Sequence, residues 1–443
     1  MNRLTALIFI YILNIVFLHA QENIRVRPEH ICLNITEHPE SQQSVTWRTQ
    51  SSDNNELVVF KEYSADDNTS DTIHTIPKLF SADDGDWYYY EALLKNLQPE
   101  SHYSYKVGSG DSWTGWYSFT TACSSEKDFS FLYFGDVQRE IATIGKQNIN
   151  AAITSEPQSS FLLFAGDLVN NGEKNNGEWN DFFYAGDSVF QYYPVFAVTG
   201  NHEHSTRRLR YQPDVNWYYH FALPKNGPKG SKEETYYFDY NQARFISLNT
   251  STFINNPFTK MKTKHWLKHL LKESEGKWII VSHHHPVYST KADRRNKSLE
   301  RTLKPLYEKY GVALVLTGHD HTYGRGMSPG TLNPVYVVSD AGGKYYNIGI
   351  SPWMHRAGSN ITTYQVIKVT PRVIHYKSYL LSGGLYDEFE IKRNKNELEV
   401  VDLQDKAIEE KLDLPQKYIK DYSPEQLIEY RTMIETYQNK KVK

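Results

Sequence analysis

Cysteine is scarce in this sequence, and only Cys32 and Cys123 occur among its 443 residues. Two cysteines cannot make a disulfide scaffold. The chain is 39% hydrophobic and 23% charged, so it can bury a large core and should divide into two or three domains. The two cysteines flank an N-terminal segment, and the sequence leaves open whether they pair in an oxidising compartment.

The sequence also lacks an excess of charge of one sign, because its net charge is -3. No basic stripe is present, so there is no signature of nucleic-acid binding. Long hydrophobic runs are missing as well: beyond the first 20 residues no stretch is long and apolar enough to span a membrane.

The N-terminus has the pattern of a secretory signal. Met1-Asn2-Arg3 precedes an apolar run over residues 4–18, and a small residue, Ala20, precedes a polar segment. We therefore predict a signal peptide over residues 1–20 that is cleaved after Ala20, and a secreted or periplasmic protein without a stable membrane anchor. An uncleaved anchor is the alternative, because Leu18 fits the cleavage pattern poorly.

Residues 22–122 show short alternating hydrophobic runs separated by polar turns, which favours an all-β sandwich. The segment over residues 97–107 resembles the penultimate strand of fibronectin type III domains, with Tyr103 placed to form a tyrosine corner. The segment holds no clustered ligand set. Its predicted role is structural: packing on the next domain, shaping the entrance to its site, or forming a homodimer.

In residues 127–392, strands alternate with helical stretches, which indicates a layered α/β fold with its functional edge at the strand ends. Helices are predicted over residues 147–155, 179–190, 263–275 and 299–310, and a hairpin over 236–248. Strands are predicted over 334–338 and 362–370, in a second sheet.

Residues 395–443 are predicted to form a charged helical extension. There Ser423 begins a capping box, and an apolar stripe packs on the protein's own body or, as the alternative, on a partner. The stripe comprises Leu427, Tyr430, Ile434 and Tyr437.

Five apolar runs end in residues that bind metals or phosphate. One such tip alone is usually a turn, and Asp187 in Ala-Gly-Asp fits that interpretation. Five in succession indicate one site, because parallel strands deliver their ends to one edge. The tips supply Asp136, Asp167, Asn201, His284, His319 and His321.

These side chains can hold two metal ions, which need a bridging carboxylate and further nitrogen and oxygen ligands. The pair would be divalent or trivalent Fe, Mn or Zn, in a combination that the sequence does not identify. Such a pair produces hydroxide near neutral pH and polarises a phosphoryl oxygen for in-line attack.

The motifs Gly-Asp, Gly-Asp, Gly-Asn-His-Glu and Gly-His-x-His resemble those of the calcineurin-like metallophosphoesterases. The resemblance is nearest to the purple acid phosphatases, whose His-x-Pro-x-Tyr segment matches residues 284–288. It implies a layered αββα domain. It also implies that Asp136 and His321 bind the first metal, that Asp167 bridges, and that Asn201, His284 and His319 bind the second.

The same resemblance implies that His202 contacts the phosphoryl group and helps to protonate the leaving oxygen. Five further residues are candidates for supporting the ligands or lining the substrate rim: Gln138, Asn170, Glu203, His283 and His285.

Two positions depart from the family pattern. Asn170 stands where purple acid phosphatases have the tyrosine that colours ferric iron, and Gln138 stands where the wider superfamily has a histidine. We therefore expect a colourless protein with a more exchangeable first metal. Gln138 either ligates through its amide oxygen or binds a metal-bound water.

The predicted function is an exported phosphatase acting on small phosphate monoesters. A phosphodiesterase or nucleotidase is the alternative within the same superfamily, and a surface binding protein with a weakened site is the alternative outside it. Specificity is assigned to the loops over residues 205–215 and 289–297. The cations of the second loop either attract anionic substrates or form a solvated charge run.

Overall fold

The computed structural model describes residues 27–51, 56–173, 176–207, 210–394, 397–405 and 407–441. The predicted signal peptide at residues 1–20 lies outside these ranges. Within them, no helix is long and apolar enough to cross a membrane.

The alternating runs of the first hundred residues form a β-sandwich, as predicted. One sheet has the order β1-β2-β6-β5 and the other the order β4-β3-β7-β8, with β9 paired to β7. The strands are β1 Glu29–Asn34, β2 Gln43–Thr49, β3 Leu57–Glu62, β4 Asp71–His74, β5 Lys78–Ala82, β6 Gly85–Leu94, β7 His102–Ser109, β8 Ser112–Trp113 and β9 Tyr117–Thr120. The Tyr103 hydroxyl accepts a hydrogen bond from the Gln98 amide at 2.9 Å, which is the predicted tyrosine corner.

A second domain contains two stacked sheets. The first continues through β25-β24-β23-β22-β10-β11-β12, and the second has the order β15-β16-β17-β18-β20-β19-β21. The first-sheet strands are β10 Phe129–Phe134, β11 Leu162–Phe164, β12 Val195–Ala197, β22 Thr363–Val369, β23 Val373–Leu380, β24 Leu385–Asn394 and β25 Glu397–Asp402. The second-sheet strands are β15 Tyr236–Tyr240, β16 Ala243–Leu248, β17 Trp278–His283, β18 Leu314–Thr317, β19 Tyr323–Gly326, β20 Val335–Val338 and β21 Met354–Gly358. A separate hairpin pairs β13 His204–Arg207 with β14 Arg210–Pro213.

Aromatic side chains fill the space between the two sheets. Phe131 stacks on Phe161 with ring centroids 5.1 Å apart and meets Phe245 edge-on at 5.2 Å. Helices cover the outer faces, so the layered αββα arrangement is confirmed. They are α1 Lys146–Ser155, α2 Asn176–Ala185, α3 Val215–His220, α4 Thr250–Asn255, α5 Pro257–Lys272, α6 Lys297–Thr302, α7 Lys304–Lys309, α8 Gln416–Asp421 and α9 Pro424–Lys441, with a 3₁₀ turn at Asp67–Thr69 and a π-helical turn at Ile141–Gly145.

Five predicted elements differ from the structure. The helix predicted over 263–275 is α5, which begins at Pro257, and the strand predicted over 362–370 is β22, which lies in the first sheet beside β10. The helix predicted over 179–190 ends at Ala185, because the chain turns at Gly186, where a Cβ atom would lie 2.0 Å from the Phe190 ring. The helix predicted over 299–310 is split into α6 and α7, with Pro305 in the first turn of α7. Residues 397–402 form the edge strand β25 rather than the start of a helical extension.

The predictions for the C-terminal helix are confirmed. The Ser423 hydroxyl accepts from the Gln426 amide and the Gln426 side chain accepts from the Ser423 amide, which is a capping box. The stripe packs on the protein's own body: the Tyr430 hydroxyl donates to the Leu412 carbonyl at 3.0 Å. Cys32 and Cys123 are both free thiols.

The two domains share one sheet, which the sequence did not predict. Strand β1 pairs in parallel with β12, with Asn34 opposite Val195. The sandwich sheet and the first sheet of the second domain therefore form one continuous sheet of 11 strands.

Candidate metal centre

The carboxyl ends of the parallel strands β10, β11, β12, β17 and β18 lie along one edge of the domain. The residues that follow these strands converge there, as predicted from the strand tips. Three of the ligand candidates, Asp167, His319 and His321, have positive φ angles of 50°, 75° and 46°. Non-glycine residues seldom adopt this conformation, and they cluster in functional sites when they do.

Four of the six predicted ligands surround one point. The His284 Nε2 atom lies 3.1 Å from Asp167 Oδ2, 3.2 Å from Asn201 Oδ1 and 3.1 Å from His319 Nδ1. A metal ion with bonds of about 2.1 Å holds adjacent ligand atoms about 3.0 to 3.4 Å apart. These four side chains therefore fit one ion in the position predicted for the second metal.

The other two predicted ligands surround the adjacent point. His321 Nε2 lies 3.2 Å from Asp136 Oδ2. The Gln138 amide nitrogen lies 2.9 Å from Asp167 Oδ2 and 3.1 Å from His321 Nε2. The Gln138 side chain thus reaches the first set as a hydrogen-bond donor, because an amide nitrogen does not bind a metal, and Asp167 is common to both sets.

Two hydrogen bonds orient the ligating imidazoles. His284 Nδ1 donates to the Ala165 carbonyl at 3.0 Å, and His321 Nδ1 donates to Asp340 Oδ1 at 3.0 Å. Both bonds leave the Nε2 lone pair directed at the ligand cluster, as metal-binding histidines require. Asp340 was missed by the sequence analysis, although it follows the apolar strand β20 in the same strand-tip pattern.

The centre concentrates negative charge that requires a cation. Burial raises the pKa of Asp136 to about 7, the His284 imidazole opposes this shift, and the Asp167 carboxylate adds to it. Burial opposes the charged form of His284, but Asp167 and Asp136 still raise its pKa to about 9. Metal ions would supply the positive charge that these carboxylates favour.

His202 is placed to meet a substrate. Its Nδ1 atom donates to the Asn170 carbonyl at 2.6 Å, and its Nε2 atom lies 3.9 Å from Asp167 Oδ2. The side chain is 29% exposed, whereas that of Asp167 is 2% exposed. Asn170 takes part through its backbone carbonyl, which positions the imidazole.

Glu203 supports the turn that carries the bridging aspartate. Its carboxylate accepts four backbone N–H bonds, from Asp167, Leu168, Val169 and Gly200, at 2.7 to 3.3 Å. Burial and the Asp167 carboxylate raise the pKa of Glu203 to about 8, but four N–H donors on two oxygens favour the ionised carboxylate. Glu203 therefore fixes the backbone of the ligand loops rather than contacting a substrate.

His283 and His285 have supporting positions. His283 is buried beside Tyr307 and donates from Nδ1 to the His285 carbonyl at 2.8 Å, and burial lowers its pKa to about 4. The His285 ring lies 4.2 Å from the His319 ring, between centroids, and its Nδ1 atom contacts the Thr250 hydroxyl at 3.0 Å. His285 thus packs directly against a ligand.

The sequence analysis also missed a group that joins the loop over residues 289–297 to the centre. Asp320, buried between the two predicted histidine ligands, accepts from the Thr290 amide at 2.7 Å and from Arg294 Nη1 at 2.5 Å. Arg294 donates in addition to the His319 carbonyl at 3.2 Å. This loop is therefore held at the rim of the site.

Comparisons with known proteins agree with this geometry. Residues 28–121 match the model of the purple acid phosphatase N-terminal domain, and residues 129–323 match that of the calcineurin-like phosphoesterase. Acid phosphatase type 7 of Mus musculus is 27% identical over 339 residues, covering 69% of this chain and 72% of that protein. Probable inactive purple acid phosphatase 9 of Arabidopsis thaliana is 24% identical, covering 58% of this chain and 46% of that protein.

A solved structure shares the fold. The purple acid phosphatase PPD1 from yellow lupin (Lupinus luteus) seeds superimposes with a TM-score of 0.67 at 16% sequence identity, covering 84% of this chain and 75% of that chain. At this identity the superposition concerns the fold. It extends over both the sandwich and the two-sheet domain.

Proposed function

This chain belongs to the calcineurin-like phosphoesterases that carry a purple acid phosphatase N-terminal domain, and from that premise we propose that it is an exported phosphatase that hydrolyses phosphate monoesters with two bound metal ions. The observation that carries the proposal is the pair of ligand sets that share Asp167. Export rests on the signal pattern of residues 1–20.

When bound, such ions would supply a nucleophilic water of lowered pKa and would withdraw charge from the phosphoryl oxygens. The nitrogen-rich set of His284, His319 and Asn201 suits Zn, Mn or Fe, and the first set suits Fe or Mn. The chain's own contribution is to place these groups with fixed tautomers in a buried pocket, so that little reorganisation is needed when a substrate binds.

His202 supplies the acid. Its Nδ1 proton is committed to the Asn170 carbonyl, so the second proton of the imidazolium is carried on Nε2. That proton can pass to the oxygen of the departing alcohol as the bond to phosphorus breaks. The partial exposure of His202 gives a substrate access to this atom.

The sequence leaves three alternatives: a phosphodiesterase, a nucleotidase and a surface binding protein. A surface binding protein with a weakened site would not need six ligand side chains and an accessible His202, so their presence favours an enzyme. Selectivity between monoesters and diesters is assigned to the loops over residues 205–215 and 289–297. An assay with both kinds of ester distinguishes a phosphomonoesterase from a phosphodiesterase.

The proposal is tested with para-nitrophenyl phosphate and bis(para-nitrophenyl) phosphate, assayed on the same preparation. We expect the monoester to be the better substrate by at least tenfold in kcat/KM. In Asn201→Ala, which removes an oxygen from the second ligand set, turnover should fall at least a hundredfold. Asn150→Ala, on the exposed face of α1, is the matched control and should retain full activity.

A preference for the diester would make the protein a phosphodiesterase. Unchanged turnover in Asn201→Ala would contradict the assignment of the site. The absence of turnover toward either ester would favour the binding protein.

A further inference from the structure

Positive charge collects on one side of the metal centre, around the ring of Tyr346. This half-buried ring meets the His321 ring edge-on, with centroids 4.7 Å apart. Lys291 Nζ lies 4.3 Å from the ring centroid, Lys344 Nζ lies 5.3 Å from it, and the Arg294 guanidinium carbon lies 5.8 Å from it. Three cations from two loops therefore share one aromatic ring.

Only some of the cations in these loops have a carboxylate partner. Arg294 is bound by Asp320, and Arg295 pairs with Glu300 at 3.0 Å. Across the ranges that the structure describes, no carboxylate forms an ion pair with Lys291 or Lys344 within 4.0 Å. These two lysines are thus cations beside Tyr346 that no ion pair holds within the described residues.

The lysines lie close enough to one another to interact unfavourably. Burial lowers the pKa of Lys291, and the positive charges of Arg294 and Lys344 lower it further, with Asp320 opposing them. Burial also lowers the pKa of Lys344, although Asp136 and Asp167 oppose that shift. Binding of an anion beside these cations therefore lowers the free energy of the site.

Lys344 connects this cluster to the catalytic centre. Its Nζ atom donates to the Gln138 side-chain oxygen at 3.4 Å, and the nitrogen of the same amide donates to Asp167 Oδ2 at 2.9 Å. An anion held by Lys344 and Lys291 would therefore lie beside the phosphate that is cleaved. Arg294 is bound by Asp320 and donates to the His319 carbonyl.

We propose that Lys291 and Lys344, arranged around Tyr346, form a subsite for a second phosphate group, so that the preferred substrates are organic diphosphates. This inference rests on the proposed phosphatase function. In the reaction, water adds to the terminal phosphorus, and the bond from that phosphorus to the bridging oxygen breaks. The products are orthophosphate and an organic monophosphate, and the lysines neutralise the charge that develops on the departing phosphate.

Calorimetric binding to the metal-loaded full-length protein tests the subsite without requiring turnover. The probes are methylenediphosphonate, a diphosphate that cannot be hydrolysed, and orthophosphate. We expect the diphosphonate to bind at least tenfold more tightly. Lys291→Met should lower the affinity for the diphosphonate at least fivefold and the affinity for orthophosphate less than twofold. Lys291→Arg should restore most of the lost affinity for the diphosphonate.

Lys297→Met is the matched control, because Lys297 belongs to the same segment, is exposed and lies outside the cluster. It should change neither affinity. Equal binding of the two probes by the wild type, or an equal loss of both in Lys291→Met, would overturn the subsite.

Assays of the hydrolysis of adenosine diphosphate and para-nitrophenyl phosphate test the phosphatase function separately from the subsite. Hydrolysis of the aryl phosphate without a preference for either diphosphate probe would contradict the subsite alone. Tight, Lys291-dependent binding of the diphosphonate by a protein that hydrolyses neither adenosine diphosphate nor para-nitrophenyl phosphate would support the subsite. The same result would contradict the phosphatase function.

Discussion

His202 is the residue whose contribution to catalysis can be isolated from metal binding, because the proposed mechanism gives it a proton to donate and no metal to bind. We expect His202→Ala to lower kcat by about 10² to 10³ for an alkyl phosphate, whose leaving group needs a proton. The loss should be at least tenfold smaller for para-nitrophenyl phosphate, whose leaving group departs as a stable anion. Bound metal, measured by mass spectrometry, should not change.

An exposed histidine provides the comparison for that variant. His102 lies on the sandwich and contacts only Thr120 among the hydrogen-bond partners found for its side chain in the described residues. His102→Ala should behave as the wild type. An equal loss with both leaving groups in His202→Ala would assign His202 to binding instead of proton transfer.

Gln138 lies beside the proposed first metal position and presents its amide nitrogen, which donates hydrogen bonds and does not bind a metal. An amide is a weaker metal ligand than an imidazole, so Gln138→His should bind the first ion more tightly. We expect dialysis against a weak chelator to leave about one manganese ion per chain in the wild type and about two in the variant. Gln147→His, at an exposed position on α1, is the control, and equal metal retention in Gln138→His and the wild type would refute this role.

The six ligands could be predicted from the sequence because each follows an apolar strand, and the strand end alone fixes where it lies. Asp340 carries the same signal and was overlooked. Lys344 and Tyr346 could not be found in this way, because they lie in a loop without periodicity and reach the site only through the fold. The role of Glu203 was also open, since a carboxylate beside a ligand can face either the metal or the backbone.

Among the elements, the turn over residues 167–169 depends most on one side chain. Glu203→Gln replaces an acceptor of four N–H bonds with an amide whose own hydrogens oppose two of the donors. We expect the free energy of unfolding to fall by about 2 to 4 kcal/mol, measured by urea denaturation. Glu62→Gln, on an exposed part of β3, should be neutral, and a Glu203→Gln variant as stable as the wild type would contradict the role of this carboxylate.

The elements that were predicted well are those with a strong hydrophobic period. The buried strands and the hairpin over residues 236–248 were found, and α9 was identified from its capping box. Strand β25 was missed because half of its six residues are charged, although Glu397 and Glu399 alternate with Leu398 and Val400 as in a strand. Charges of this kind protect an edge strand from further pairing, and a charged segment at the end of a chain also resembles a helix.

At the scale of the whole molecule, the continuous sheet joins the sandwich to the catalytic domain. The sequence predicted both domains but not their connection, because parallel pairing of β1 with β12 brings together residues far apart in the chain. Near this junction the Thr46 hydroxyl donates to the His220 carbonyl at 2.8 Å. The His220 ring lies against Trp179, with centroids 4.6 Å apart, and against Tyr89 at 5.1 Å.

This junction should be sensitive to acid. Burial, reinforced by Arg48, lowers the pKa of His220 well below 6.5. The unfolded chain therefore binds a proton that the folded chain does not, so stability is fully present above pH 6.5 and is lost as the pH falls. Because of this histidine, we expect the free energy of unfolding to fall by about 2 kcal/mol between pH 6.5 and pH 5.

The measurement is chemical denaturation at pH 7.5 and pH 5 with equal metal loading. His220→Phe should lose less stability between the two values than the wild type. His74→Phe, at an exposed position on β4, should show the wild-type dependence. The same pH dependence in all three proteins would place the acid sensitivity elsewhere.

We propose that the residues at the strand tips form one two-metal centre that hydrolyses a phosphate monoester. The most direct test is to strip the protein with a chelator, titrate it with manganese, and follow both bound metal and turnover of para-nitrophenyl phosphate. We predict that turnover is absent from the stripped protein and rises until about two ions are bound per chain, with no recovery in Asp167→Asn. Turnover by the stripped protein, or equal recovery in Asp167→Asn, would contradict a two-metal centre that shares Asp167.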